Sequence, residues 1–383
     1  MQYHAPVYRK VAEMGVPVEI VYGSDFSVRG YRDREFGASF AWDRDLTEGM
    51  KCRFLEPEAG SYEEVTGKGI GQALDEIRPK AALLCGYSHP FDRKAFGECR
   101  EKGIPILLRA ETTDHAVKRS WLKNRLRDWK LRVIYRECAL VLPIGTRSRQ
   151  HYRRLGVPED KMVDSPYGVD EDAFLWDEAA RMRLRAEQRT RMRIGDRGEG
   201  IEGGTQWILF SGKLVWRKGP DLLVEAVGRL RKEGQEVGIV FCGSGEMEGE
   251  LKRRCAELKI PAVFPGFVNQ SGLSAIYHAC DLFCLPSREG ETWGLVVNEA
   301  LLHGLPVVVS EAVGCAPDLV RSDECGAIFE SGKVESCVEG LKKVFREGFQ
   351  SERRQKCREV VATFSTQFAA RGIVEAVERI ARG

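Results

Sequence analysis

The sequence predicts an α/β protein of two doubly wound domains in tandem, and three observations carry that reading. Short apolar runs alternate with stretches of helical period along most of the chain. The alternation breaks once, where a charged, Arg-rich stretch over residues 177–206 ends in Gly198-Glu-Gly-Ile-Glu-Gly-Gly204, a turn and linker composition. The length of 383 residues is enough for two domains of ordinary size, each with its own core. The expected division is an N-terminal domain over 1–170, a linker over 171–206, a C-terminal domain over 207–350, and helices over 351–383 that return to the first domain.

In the first half, a helix through Tyr8 to Met14 precedes a strand at Val18–Tyr22. Further strands are read near Arg53–Leu55 and at Ala81–Cys85, Pro105–Leu108 and Leu140–Leu142. With helical stretches between them, they are expected to form a mostly parallel sheet covered on both faces. Lys118 to Arg136 carries eight Lys or Arg, interleaved with Trp121, Leu122, Leu126, Trp129, Val133 and Ile134. Two readings stand for it: a basic amphipathic helix that touches an anionic membrane surface, or a solvated helix whose apolar side packs on its own domain, which is the preferred one. In the second half, strands are read at Trp207–Phe210, Gly238–Cys242, Ala262–Phe264, Leu282–Leu285 and Val307–Val309, before a helical tail from Glu352 to Arg382.

With 43% hydrophobic and 30% charged residues the composition is that of a globular protein, and a net charge of +2 gives no general case for nucleic acid. No apolar run reaches the eighteen or so residues of a membrane span, and the N-terminus lacks a signal pattern, so a cytoplasmic protein is expected, with contact at the inner membrane surface as its peripheral variant. The twelve cysteines include no Cys-x-x-Cys pair and are read as reduced, buried thiols.

Three constellations bear on chemistry. Cys284 to Ser310 reads as strand, loop, helix and strand, with Glu291 in the loop and Glu299 about two turns into the helix. A helix start between two carboxylates can hold a diphosphate on its amides while the carboxylates take hydroxyls; the plain alternative is two solvated glutamates. Phe210 to Leu223 ends a strand and enters a helix, with Gly212, Lys213, Lys218 and Gly219 in the turn, either a diphosphate site or an exposed basic loop. Gly243-Ser-Gly245 follows a strand, yet the dinucleotide fingerprint is incomplete, which disfavours NAD and leaves a sugar-nucleotide loop open. Asp43-Arg-Asp45 and Asp170-Glu-Asp172 are acidic pairs too short to argue for a metal.

Assembled in order, these segments resemble family 4 of the retaining glycosyltransferases from Ile144 to the C-terminus. The family's Pro-Asn-Gly-Val-Asp is similar to Pro166-Tyr-Gly-Val-Asp170, its Gly-Arg/Lys…Lys-Gly loop to Gly212-Lys213…Lys218-Gly219, and its Gly-x-Gly turn to Gly243-Ser-Gly245. Gly266-Phe-Val268, Tyr277…Cys280-Asp281…Pro286-Ser287 and the Glu-x7-Glu spacing of Glu291 and Glu299 complete the likeness.

The resemblance implies the GT-B fold, two Rossmann-like domains facing across a cleft. It implies a donor site in which Lys213 and Lys218 bind the diphosphate, Glu299 the ribose hydroxyls and Glu291 the transferred sugar. Gly212, Gly243, Gly245 and Phe267 would line that site, and amides of Thr292, Trp293, Gly294 and Leu295 would assist. It further implies retaining transfer from a nucleotide diphosphate-sugar to an unidentified acceptor, with no metal or cofactor; a UDP-sugar is the donor expected. A catalytically inactive nucleotide-sugar-binding protein of the same fold is the alternative.

The sequence departs from the family twice. The family's first strand and Gly-rich loop are missing, and Glu111 stands where many members carry a catalytic-loop His, with His115 the second candidate there. His89 is an acceptor-side candidate.

Overall fold

The computed structural model describes residues 3–33, 38–40, 45–117, 119–195 and 204–382. Asp43, Lys118 and the glycine-rich end of the expected linker therefore lie outside the described residues. The chain divides into two compact units: unit 1 is Met1–Tyr31, Ser39–Asp170 and Phe364–Gly383, and unit 2 is Arg32–Ala38 and Glu171–Thr363.

The first half runs α1 (Ala5–Glu13), β1 (Glu19–Tyr22), α2 (Phe26–Arg29), β2 (Tyr31–Asp33), β3 (Ala38–Phe40), β4 (Lys51–Phe54), α3 (Ile70–Ile77), β5 (Ala82–Leu84), α4 (Pro90–Glu101), β6 (Ile106–Leu108), α5 (Trp121–Glu137), β7 (Leu140–Val141) and α6 (Thr146–Arg154). The second runs α7 (Glu178–Met192), β8 (Gln206–Ser211), α8 (Pro220–Lys232), β9 (Val237–Cys242), α9 (Glu248–Glu257), β10 (Ala262–Gly266), α10 (Gln270–Ala279), β11 (Leu282–Leu285), α11 (Leu295–Leu302), β12 (Val307–Ser310), α12 (Ala316–Leu319), β13 (Gly326–Phe329), α13 (Val334–Glu347) and α14 (Ser351–Ala362). The last helix, α15 (Thr366–Arg382), belongs to unit 1 and packs along α1.

In unit 1, β6 shows why its strands are continuous apolar runs. Ile106 and Leu108 face a core with Leu131 and Tyr135 of α5, whereas Leu107 faces the opposite core with Val7 and Val11 of α1 and Ile373 of α15. Side chains alternate across a strand, so a strand buried on both faces must be apolar at every position.

The expected parallel sheet is found in two pieces, β1-β4 and β5-β6-β7, with β2 and β3 pairing separately. Among the described residues no strand lies between β1 and β5. A cavity of about 820 Å³ is there instead, lined by Val21, Leu83, Val11, Ile70, Ala95 and Ile373 among others.

Helix α5 corrects the packing expectation for the basic segment. It buries Leu131 and Tyr135, but a second apolar side faces outward, with Trp121 66%, Leu122 70%, Leu126 57%, Trp129 63% and Val133 41% exposed. Among the described residues no helix is long and apolar enough to cross a membrane.

Unit 2 holds a six-stranded parallel sheet in the order β10-β9-β8-β11-β12-β13. Progression runs outward from β8 in one direction and from β11 in the other, so the strand order reverses between them. Ligands of open α/β sheets bind outside the carboxyl ends of the strands at such a switch point. β13, Gly326-Ala-Ile-Phe329, goes beyond the strands expected from the sequence: it opens on glycine and turns Ile328 outward.

Much of the stretch expected to be a linker is helix α7. Its arginines make directed bonds: Arg185 reaches Asp281 at 2.6 Å, and Arg189, 1% exposed, donates to the Ala279 carbonyl at 2.8 Å and to Asp281 at 3.0 Å.

Candidate functional site

The loops after β8, β9 and β11 carry most of the expected donor residues and are braced to one another by the backbone. Gly212 N–H donates to Cys242 O at 2.9 Å, Leu214 N–H to Ser244 O at 2.9 Å, and Met247 N–H back to Leu214 O at 3.0 Å. This close approach needs glycine at Gly243, whose φ is +140° and whose added Cβ would lie 2.0 Å from Gly212 O.

The β8 loop is tied to the β11 loop in turn. Arg288 N–H donates to Arg217 O at 2.8 Å, while the Arg288 guanidinium grips Asp221 at the start of α8 through two bonds of 2.7 Å. Planar fork geometry makes this the stiffest kind of ion pair.

Lys218 and Glu291 meet across this brace as an ion pair. Ser287 donates to the same Glu291 oxygen at 3.2 Å, and Glu291 is only 9% exposed. Gly314 N–H donates to Glu291 O at 3.0 Å and Cys315 N–H to Trp293 O at 2.9 Å, so the loop after β12 fixes the same segment. Trp293 is buried, with its indole N–H on Asn298 Oδ1 at 2.9 Å.

Gly294, at φ +97°, turns the chain into α11, whose N-terminus has no side-chain cap. The Val297 N–H already donates to Gly294 O at 2.9 Å, so the amides of Leu295 and Val296 are the ones a helix start of this kind would offer to an anion. The helix begins only at Leu295, so Glu299 is one turn into it and not two.

Glu299 is 3% exposed, and burial pushes its carboxyl up to about 7. Tyr277, itself fully buried, donates to Glu299 Oε2 at 2.7 Å and pulls the other way. Burial, and after it the Glu299 carboxylate, raises the Cys242 thiol at the end of β9. Lys213 is half-buried in the same β8 loop, and Phe267 follows β10 at the far side. The sequence motifs contain Tyr277 without a role; its partner only becomes visible once α10 and α11 are packed.

The unit 1 candidates are gathered less tightly. Glu111 is exposed in the loop after β6 and accepts from Tyr167 at 2.8 Å. Tyr167 packs under the Arg109 guanidinium, 4.5 Å from the ring centre, and Arg109 is held by Ser165 and by Pro166 O. Thus the residue that departs from the Pro-Asn-Gly-Val-Asp pattern holds the residue that departs from the catalytic-loop His. His115 is half-buried on the same loop. His89 caps α4, its Nδ1 accepting from Phe91 N–H at 3.3 Å, and its ring lies 3.8 Å from that of Tyr62, tilted by 33°. Among the described residues no group of three or more His, Cys, Asp or Glu is placed to hold a metal ion.

A switch-point site of this construction coincides with a match of residues 195–362 to the family model described as glycosyl transferases group 1. That segment is similar to the group 1 glycosyltransferases. The curated relatives it matches are themselves named as glycosyltransferases. The chain is 28% identical to an uncharacterized glycosyltransferase of Methanocaldococcus jannaschii over 56% of its length, and 33% identical to the sulfoquinovosyl transferase of Arabidopsis thaliana over 47%. It is 27% identical over 59% to a GDP-mannose-dependent alpha-(1-6)-phosphatidylinositol monomannoside mannosyltransferase of Mycolicibacterium smegmatis. The matches span 53%, 32% and 58% of those proteins, so the chain spans about half the length of the curated relatives it matches.

Solved structures are similar across nearly the whole chain. A glycosyltransferase from Rickettsia africae ESF-5 superposes with a TM-score of 0.73 at 15% identity, covering 99% of this chain and 94% of that one. Anabaena HepE in complex with UDP-glucose gives 0.60 at 17% identity, covering 86% of each chain. The fold is GT-B, with α/β units built on parallel sheets.

Proposed function

We propose that this chain is a retaining, metal-independent glycosyltransferase that moves a sugar from a nucleotide diphosphate-sugar to an acceptor hydroxyl. The observation that carries it is the pairing of Lys218 with Glu291 at the switch point, ahead of α11, with the buried Glu299 one turn into that helix. In the free chain the two charges neutralise each other. A bound donor separates their tasks: Lys218 and the first amides of α11 take the diphosphate, and Glu291 takes hydroxyls of the sugar. The acceptor oxygen then bonds to the anomeric carbon as the bond to the diphosphate oxygen breaks, and the acceptor proton passes to that leaving oxygen. Charge grows on the diphosphate, where the lysines and the helix N-terminus stabilise it. Glu111, held by Tyr167, is the group we assign to the acceptor side.

A UDP-sugar is the proposed donor. HepE was solved with UDP-glucose, whereas the mycobacterial relative is named for GDP-mannose, so both bases enter the test. Thermal shifts with UDP-, GDP-, ADP- and dTDP-sugars identify the donor, since a ligand of the native state raises its stability. With that donor, Glu291→Ala and Lys218→Ala should each lower transfer by about 10²–10³-fold while the protein stays folded, and EDTA should leave the rate unchanged. Full activity in both variants overturns the assignment. Saturable binding with no turnover by the unaltered chain favours the inactive binding protein.

We also propose that α5 rests on an anionic membrane surface. Arg125, Lys130, Arg132 and Arg136 flank its exposed Trp and Leu side chains, which is the amphipathic pattern of interfacial helices.

A further inference from the structure

Glu299 is fixed by a set of buried side chains that the motifs do not explain. Tyr277 lies face to face with His303, their rings 4.7 Å apart at 11°, and both are fully buried. His303 Nδ1 is 2.7 Å from the main-chain oxygen of Glu299, and a carbonyl only accepts, so Nδ1 carries the proton. His303 Nε2 is 3.0 Å from Ser274 Oγ. That hydroxyl accepts the Leu175 N–H at 2.9 Å, which leaves its own proton to donate to Nε2.

Both ring nitrogens are therefore satisfied in one tautomer, and burial keeps the imidazole neutral, its pKa lowered to about 3. A neutral, fully bonded ring is a rigid wall. It prevents the Tyr277 ring from turning away and holds the phenol O–H on Glu299 Oε2.

We propose that Tyr277, backed by His303, is the positioning residue of the donor site: it occupies Oε2, fixes the orientation of the Glu299 carboxyl group, and presents its other oxygen to the ribose hydroxyls of the nucleotide. The role rests on the nucleotide-sugar reading given above. Burial opposes ionisation of Glu299 and the Tyr277 bond favours it, so removing the phenol hydroxyl moves the carboxyl titration to higher pH.

The test is Tyr277→Phe in the full chain, with two readouts. Binding of UDP and of GDP is measured by calorimetry from pH 5.5 to 9, and the Glu299 carboxyl is followed without nucleotide by ¹³C NMR, assigned by its loss in Glu299→Gln. In the unaltered chain, affinity should rise with pH through the Glu299 midpoint. Tyr277→Phe should weaken binding about tenfold at pH 7.5, the loss of one bond to a charged group, and move both midpoints upward together. A uniform loss of affinity with unchanged midpoints means Tyr277 only packs, and overturns the proposal. Failure of the unaltered chain to bind either nucleotide overturns the ribose role and the donor reading together. The carboxyl titration still reports the Tyr277–Glu299 coupling in that case, so the two failures are told apart.

Discussion

Glu299 shows what a single buried carboxyl does to a protein's pH profile. Its ordinary value of 4.5 rises to about 7 in the folded chain. Between those values the folded state keeps a proton that the unfolded chain has released. Stability is thus fully present below 4.5 and is lost as pH rises through about 7, by about 3 kcal/mol for a shift of this size. Glu299→Gln should flatten that slope and make the ligand-free protein more stable than the unaltered one at pH 8, as urea titrations at pH 5, 6.5 and 8 will read. Retention of the full slope in Glu299→Gln would assign it to another group. On the proposed donor role, this cost in stability is the trade for a carboxylate held dry at a binding site.

Among the elements, α5 and α7 are both Arg-rich and behave oppositely. In α7 the guanidinium groups of Arg185 and Arg189 turn inward onto Asp281, which explains a composition that reads as linker. In α5 the inward groups are Leu131 and Tyr135, while Arg127 and Arg154 pair with Asp114 and Asp128 at its foot. Cations and large apolar side chains remain together on its outer side. Vesicles of phosphatidylglycerol should therefore pull the protein down in sedimentation, vesicles of phosphatidylcholine should not, and Trp121→Ser with Trp129→Ser should abolish the effect without changing nucleotide binding. Equal sedimentation with both lipids, or with neither, counts against the membrane role of α5. Sequence pattern cannot separate the two helices, because period and charge are alike and only the partner differs.

At the scale of the whole molecule, the two units differ in how completely their sheets are paired. Unit 2 has one continuous sheet of six strands; unit 1 has two smaller pieces with facing edges on a cavity. Leu84 O accepts from Arg109 N–H and Ala82 N–H donates to Pro105 O, so Ala82 and Leu84 face β6 and the backbone of Leu83 faces the cavity. Tyr22 O accepts from Leu55 N–H, which turns Val21 to the cavity likewise. Open edges leave backbone groups without a ladder partner and apolar side chains without cover. Calorimetry should show two transitions, unit 1 melting first, and on the proposed donor role only the second should be raised by added nucleotide. Amides of Val21 and Leu83 should exchange well before those of Leu209 and Val240. A single transition, or simultaneous exchange, would refute the difference.

The sequence by itself determined the α/β class, most strand positions, the loops that carry Glu291, Lys213 and Lys218, and the helix that carries Glu299. These are local features: a strand, its following loop and the next helix are contiguous, so periodicity and glycine spacing record them. Only the tertiary structure decided that Lys218 meets Glu291 across 73 residues and Tyr277 meets Glu299 across 22. It alone decided that the arginines of α7 close on Asp281 and that β1 and β5 face a cavity. Those outcomes depend on strand order and on which side chains share a buried volume, and no run of neighbouring residues encodes either.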